Sequence, residues 1–496
     1  MDHETAGETE IEQIIEELAD VGQIKRRSVK GMVALLLRTG LLQLIAIIAT
    51  FLLTIFLDPA QFGIFGITAA AADILVYFSD IGLAGALIQK KKLDPNDLST
   101  TFTVQQLLTL LLIGIGFLLT GVVARLYSLS NSGVWLFRAL LISFFLSTLK
   151  TIPSIRLERR LEFEKLVIPQ IIENLVFYVT AVILAWHGFG ITSFTLAVLA
   201  RSILGLIAIY IISPWKPTLS FNKQSFKSLV SFGVPFQLNS ILGLVKDRLL
   251  VAYYGIVLPA TQVGYLQWAE RWSLFPLRIV VDNVNKVTFP AYSRLQGKKS
   301  ELTKAIEKSL FFTALIIFPT LVAMNVLAPA LIQIIPKYQK WQPALLALML
   351  FSINGMWSSI STTLTNSFAA MGKIKINLKL MVMWTTLTWI LSPLLIWKFG
   401  YNGVAAASAL VATTSIVPMI IIKRLLPVRL ASNILPALFS SVLMGFALYF
   451  LSFFLLPSSF FLLAIPTGAI LYFVLIFALT GKKLINELRS IKQLAM

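Results

Sequence analysis

Residues 310–335 read LFFTALIIFPTLVAMNVLAPALIQII, a run without a single charge that lies between Lys308 and Lys337. As a helix this run extends about 39 Å at ~1.5 Å per residue, more than the ~30 Å of a bilayer's hydrocarbon. Working outward from it, the same plan recurs along the whole chain. Apolar segments fall at 32–57, 63–88, 101–123, 134–149, 166–186, 191–213, 230–255, 263–288, 310–335, 343–369, 380–397, 403–422, 435–455 and 460–479. The fourth is short and is read as continuing towards Pro153. In lipid every backbone N–H and C=O needs an internal partner, so these segments are read as helices. The expected fold class is an all-α polytopic membrane protein with about fourteen transmembrane helices.

The composition agrees and excludes several chemistries. Hydrophobic residues make up 57% of the 496 and charged residues only 13%, against about 25% charged in soluble domains. There is no cysteine, so disulfides, cysteine-bound metals and thiol nucleophiles are excluded. The two histidines, His3 and His187, leave no room for a histidine metal site or a His-centred triad. No resident cofactor or metal is expected, nor an enzyme activity. The net charge of +19 is not a nucleic-acid footprint, because the basic residues sit in short runs between apolar segments. Thirty of the 42 Lys and Arg fall on alternate connections, and few, among them Lys337, Lys340 and Lys398, fall on the opposite set. That alternation places both termini in the cytoplasm of a prokaryotic inner membrane. No cleavable signal peptide is expected, since the first thirty residues are acidic and polar. The connections on the external side are short and carry one acid, Asp58, which leaves no extracytoplasmic domain for a catalytic centre.

Two turns repeat in order. Pro59-Ala60-Gln61-Phe62-Gly63 lies between helices one and two, and Pro259-Ala260-Thr261-Gln262-Val263-Gly264 lies between helices seven and eight. Phe189-Gly190 precedes helix six as Phe399-Gly400 precedes helix twelve. The interval is one six-helix unit, and six crossings return the chain to its starting side, so the repeat is of the parallel type. The expected organisation is a cytoplasmic tail (1–31), a first six-helix bundle (32–213) and a cytoplasmic linker (214–229). A second bundle (230–422), two further helices (435–479) and a basic tail (480–496) complete it. The last of these, with Lys482, Lys483, Arg489 and Lys492, is expected along the inner leaflet.

Charges inside the apolar segments need a reason, because one near the bilayer centre costs at least ~2.5 kcal/mol. Arg125 and Arg138 lie near helix ends and can snorkel; for Arg38, snorkelling and a cavity role stand side by side. Helix eight carries Gln267, Arg271, Arg278, Asp282 and Asn285, which at about 100° per residue share a sector of roughly 60°. Glu270 and Lys286 flank this stripe, and helix seven adds Lys246, Asp247 and Arg248 at similar depth. Pairing of Asp247 with Arg271, and of Glu270 with Lys246 or Arg248, is one expectation, with Arg278 and Asp282 satisfying each other at i and i+4. Buried ion pairs stabilise poorly compared with apolar packing, so a wetted cavity explains a full-length stripe better. On helix two, Asp73 and Asp80 share a face with Tyr77 between them. They are read as a cation or proton site, or as a counter-charge for Arg38, against the alternative that Asp80 caps local structure near Gly82. Glu173 and Arg201 are expected to form a structural pair.

With these residues in view the chain resembles a known family, the Wzx-type polysaccharide flippases of the multidrug/oligosaccharidyl-lipid/polysaccharide exporter superfamily. The first match is Pro59-x-x-Phe62-Gly63, then Phe78-Ser79-Asp80-Ile81-Gly82-Leu83 and Ala86-Leu87-Ile88-Gln89. The second is Asp247, Gly264-Tyr265, Ala269-Glu270-Arg271, Pro276 and Phe289-Pro290-Ala291-Tyr292-Ser293. The third is Trp341-x-Pro343-Ala344 with Ala369-Ala370-Met371-Gly372-Lys373. The resemblance implies two six-helix bundles around a cavity lined by helices one, two, seven and eight, plus two C-terminal helices. It also implies transfer of a polyprenyl-diphosphate-linked oligosaccharide from inner to outer leaflet for surface polysaccharide. Arg38, Lys246, Arg248, Arg271 and Arg278 are then headgroup candidates, and Asp73, Asp80, Asp247, Glu270 and Asp282 are coupling or charge-balancing candidates.

Arginine suits a diphosphate because its guanidinium binds bidentately and stays charged. With no GxxxxGK[ST] motif, the driving force is expected from membrane potential or a coupled Na⁺ or H⁺. A lipid-II-type flippase and a drug/cation antiporter are the nearest alternatives. The excess of two cations on helices seven and eight disfavours the antiporter. A membrane-embedded glycosyltransferase or ligase is disfavoured by the short external loops. Expected partners are the lipid-linked oligosaccharide and membrane lipids, with a polymerase and glycosyltransferases as possible neighbours, no nucleic acid, and a monomeric chain.

Overall fold

Helix starts follow directly from local turn chemistry. Asp58 accepts from the N-terminal turn of α2 (Pro59–Tyr77) while its own N–H donates to Gln61 Oε1 at 3.0 Å, and Pro59 sits where no N–H is needed. Asp94 does the same for α3 (Pro95–Leu118), accepting from Asn96 N at 2.9 Å, with Asp97 Oδ2 reaching back to Asp94 N at 3.0 Å. Ser130 Oγ caps α4 (Asn131–Thr148) through Gly133 N at 3.3 Å.

The computed structural model describes residues 40–90, 92–238, 241–455 and 463–495, and no strand occurs among them. Ahead of α2 lies α1 (Gly40–Phe56). After α4 come α5 (Phe163–Trp186), α6 (Thr192–Ile212) and α7 (Lys223–Leu238). The seventh crossing contains a π-turn: beyond α7 and the two residues 239–240, which lie outside the described residues, come Ile241–Gly243, the π-helical turn Leu244–Arg248 and a helix Leu249–Val257. Then follow α8 (Ala260–Leu295), α9 (Lys299–Ile334), α10 (Leu345–Ala370) and α11 (Ile374–Phe399). The twelfth crossing is Asn402–Leu425, whose first part is α12 (Asn402–Thr413), and α13 (Leu430–Leu455) and α14 (Ala464–Ala495) complete the chain. Eleven of these crossings are long and apolar enough to span a membrane by composition. The other three expected crossings are α1, the seventh with its π-turn, and α8 with its charges. The basic stretch 482–495 continues α14 without a break.

By contacts the chain divides into two compact units, one ending at Gly264 and the other beginning at Tyr265. In the first, α6 packs along α5 and α4, and α2 along α4. In the second, α9 packs along α13 and α10, and α11 along α12. The buried stripe of α9 is Leu302, Ile306, Leu310, Ala314, Ile317 and Leu321, spaced by three or four as one helix face requires. Residues on outward faces, such as Ile316, Leu346 and Trp397, are apolar and exposed, as lipid contact demands.

The two repeated turns meet. A Cβ on Gly63 would lie 1.8 Å from the Ala260 carbonyl oxygen, and a Cβ on Gly264 would lie 1.8 Å from that of Pro59. Each glycine, four positions into its helix, receives the carbonyl that begins the other helix, so the backbones touch where any side chain would hold them apart. Gly63→Ala and Gly264→Ala should each lower the melting midpoint of the detergent-purified protein, with an overpacking cost of about 1–3 kcal/mol. Gly114→Ala, at a position with nothing within 4 Å, should leave the midpoint unchanged or raise it.

Candidate substrate-binding site

Arg271, Arg278, Asp282 and Lys286 of α8 are all exposed and share one helix face. The opposite face, with Trp268, Ala269, Ser273, Pro276 and Val281, is buried in the second unit. Trp268 stacks on Trp341 at 5.5 Å between centroids, and Tyr401 Oη donates to the Pro343 carbonyl at 2.8 Å. The Trp341-x-Pro343 motif therefore anchors one end of α8. Arg278 and Asp282 do not pair: neither makes an ion pair or hydrogen bond with any described residue. A helix held along an apolar seam thus presents Arg278 and Asp282 outward and unpaired among the described residues.

In the first unit, α2 and the seventh crossing run against each other through close contacts. Tyr77 Oη donates to the Gln237 carbonyl at 2.6 Å, and Gln237 Nε2 donates to the Tyr77 carbonyl at 2.8 Å. The Tyr77 carbonyl lies at the C-terminal end of α2, where the intrahelical acceptor role lapses, and the Gln237 side chain supplies it with a donor. Below this clamp the chain turns through Ile81 (φ 43°) and Gly82 (φ 80°). A Cβ on Gly82 would lie 2.0 Å from the Gly233 carbonyl oxygen, so only glycine fits in both conformation and space.

Above the clamp, Arg248 Nε lies 3.2 Å from Asp73 Oδ2, with both side chains about half exposed. Further up, Gly255 faces Ile67 and Ala260 faces Gly63. The register along these contacts is uneven. From Asp73 to Gly63, ten positions on α2 face twelve on the other strand of chain; from Tyr77 to Asp73, four face the eleven between Gln237 and Arg248. Eleven residues of unbroken α-helix would rise about 16 Å, against about 6 Å for four. The π-turn Leu244–Arg248 lies within this stretch, with Arg248 at its end. π-turns recur at functional sites because they re-aim side chains at a local cost.

The sequence candidates therefore separate. Arg38 lies outside the described residues. Asp80 is the cap of the short helix Leu83–Gln89, accepting from Ala84 N at 3.1 Å, and not an open carboxylate. Asp73 is the partner of Arg248, a pairing the sequence reading did not anticipate. Lys246 is half-buried in the π-turn and Asp247 is exposed beside it. Asp247 takes no ion-pair partner within its own unit among the described residues. Glu270 is half-buried and Arg271 exposed. Glu173 bonds Lys150 at 2.5 Å, and Arg201, expected to be its partner, lies 5.1 Å over the Phe177 ring. Arg138 covers the exposed Trp135 ring at 5.2 Å, in keeping with an interfacial position. The signal for the seventh crossing's π-turn was Gly243 beside three consecutive charged residues, a pattern that loop chemistry alone does not interpret.

Comparison with known proteins follows the same lines. Residues 52–346 match the family described as polysaccharide biosynthesis protein. The succinoglycan biosynthesis transport protein ExoT of Rhizobium meliloti is 22% identical over 277 residues, 56% of each chain. The lipopolysaccharide biosynthesis protein WzxC of Escherichia coli is 22% identical over 334 residues, 67% of each chain. The match thus spans little more than half the length of ExoT. Among solved structures, the lipid II flippase MurJ in an inward closed conformation superposes with a TM-score of 0.75 at 18% identity, covering 92% of this chain and all of that one. At that identity the likeness establishes the fold alone, a multi-pass helical one. With the family match extending over more than half of its residues, the chain belongs to the polysaccharide biosynthesis protein family.

Proposed function

We propose that this protein is a flippase that moves a polyprenyl-diphosphate-linked oligosaccharide from the inner to the outer leaflet by alternating access, for surface polysaccharide synthesis. The observation that carries the reading is the exposed face of α8 with Arg271, Arg278, Asp282 and Lys286, of which Arg278, Asp282 and Lys286 take no partner among the described residues. Charges without partners persist in a membrane protein only where water or a polar substrate reaches them. On α8 alone, Arg271, Arg278 and Lys286 stand against Asp282, so the exposed face is cationic. It suits an anionic head, while the prenyl tail stays in lipid. Each guanidinium–phosphate contact is a charge-assisted bond worth about 1.5–3 kcal/mol. The relatives' names, a succinoglycan transport protein and a lipopolysaccharide biosynthesis protein, support a saccharide cargo.

In this reading both termini are cytoplasmic, as the distribution of Lys and Arg indicates. The protein acts as a monomer, beside a polymerase and glycosyltransferases that make and use its cargo. It transports without catalysing. Energy comes from the membrane potential, ~2.3 kcal/mol per charge per 100 mV, or from a coupled Na⁺ or H⁺. A lipid-II-type cargo is the second reading, favoured by the MurJ fold; it shares the diphosphate and the saccharide.

In reconstituted vesicles the protein should carry a labelled prenyl-diphosphate-linked oligosaccharide across the bilayer with its mass unchanged. Arg271→Ala and Arg278→Ala should each cut the rate on the order of 10- to 100-fold, the loss of one charge-assisted contact. A change in substrate mass, or full transfer by both variants, would overturn the reading. The chain has no native cysteine, so accessibility is read directly from single-cysteine variants. Asp282→Cys and Lys286→Cys should react with a charged, membrane-impermeant maleimide, whereas Val281→Cys, at 1% exposure, should remain unlabelled.

A further inference from the structure

Within the first unit, Arg248 ends the π-turn of the seventh crossing and meets a carboxylate on another helix, α2. The contact is open: at 3.2 Å the pair leaves the Arg248 side chain 53% and the Asp73 side chain 40% exposed. Nothing about such a pair contributes much to stability, since exposed ion pairs are weak. Its two members nonetheless sit where the register of α2 and the seventh crossing shifts by about two helical turns, which is an unlikely place for an ion pair to form by simple packing.

The chemistry of the pair suggests a role. A carboxylate and a phosphate present a guanidinium with the same charge sign and the same two-oxygen geometry. Both cannot occupy the same face of Arg248 at once. We infer that Asp73 is an internal competitor for the substrate's anionic head: it holds Arg248 in the empty protein and displaces the diphosphate from it at release. This rests on the reading of the cargo as a prenyl diphosphate.

Two features keep Asp73 in place when Arg248 moves. Tyr77, one turn along α2, is clamped to Gln237 by the reciprocal hydrogen bonds. Arg201, from α6, interacts electrostatically with Asp73 and continues to balance its charge once Arg248 is engaged elsewhere. The mobile partner is therefore Arg248, in the five-residue π-turn Leu244–Arg248, whose neighbours Lys246 and Asp247 are bound to no described residue. Release then needs no change of protonation. A neighbouring anion, fixed by the fold, returns to the guanidinium as the site opens to the other side.

The test uses purified full-length protein in nanodiscs with geranylgeranyl diphosphate as the probe and geranylgeraniol as its uncharged control. Asp73→Asn should tighten diphosphate binding about threefold, the strength of an exposed ion pair, and leave the alcohol unaffected. Arg248→Gln should weaken diphosphate binding, and Asp73→Asn added to Arg248→Gln should have no further effect. In the vesicle assay Asp73→Asn should slow turnover at saturating substrate despite the tighter binding. Unchanged or weaker binding by Asp73→Asn, while Arg248→Gln loses affinity, would overturn the competitor role and leave the flippase reading standing. Diphosphate binding no stronger than that of the alcohol, and indifferent to Arg248→Gln, Arg271→Ala and Arg278→Ala alike, would overturn both.

Discussion

A charge inside a bilayer must be paired, placed over an aromatic ring, or wetted, and the cost of failing is several kcal/mol. That constraint sorts the ionisable residues of this protein. Lys150 and Glu173 are paired between α4's end and α5. Arg201 lies over Phe177, and Arg138 over Trp135. Asp73 and Arg248 are paired yet open, and Arg278 and Asp282 are open and unpaired. The first group holds helices in place; the last two remain available to a polar ligand. The same rule that makes charge rare in this sequence gives meaning to the few charges left exposed.

The backbone obeys the same constraint. A helix that stops within a membrane strands its final carbonyls, and α2 stops at Tyr77. Gln237 donates to the Tyr77 carbonyl, and Tyr77 Oη donates to that of Gln237. The backbones also approach closely at Gly82 against Gly233 and at Gly63 against Ala260. An all-apolar contact could not satisfy the carbonyl at the end of α2. An all-polar one could not exclude lipid.

Among the site residues, how much the sequence revealed depended on whether local periodicity or distant contact set their roles. The α8 stripe was legible because Arg271, Arg278, Asp282 and Asn285 repeat at helical spacing, and a helix keeps that phase whatever surrounds it. Asp80 was readable as a cap, since its partner Ala84 is four residues away. The pairings across the fold were not readable. Glu173 chose Lys150 over Arg201, and Asp73 took Arg248. Partners separated by many residues are decided by how helices rotate and slide against each other, which no one segment encodes.

The sequence by itself determined that the chain crosses a membrane, roughly where each crossing lies, and that helix eight carries a cationic face. Hydrophobic length and helical period are local properties, and the bilayer enforces both. Only the tertiary structure decided that the seventh crossing contains a π-turn, that the two repeated Pro–Gly turns press their backbones together, and that Asp73 and Arg248 meet. Those outcomes come from close packing between distant segments, where the absence of a Cβ or the reach of one side chain sets the register. Local sequence constrains each helix but leaves that register open.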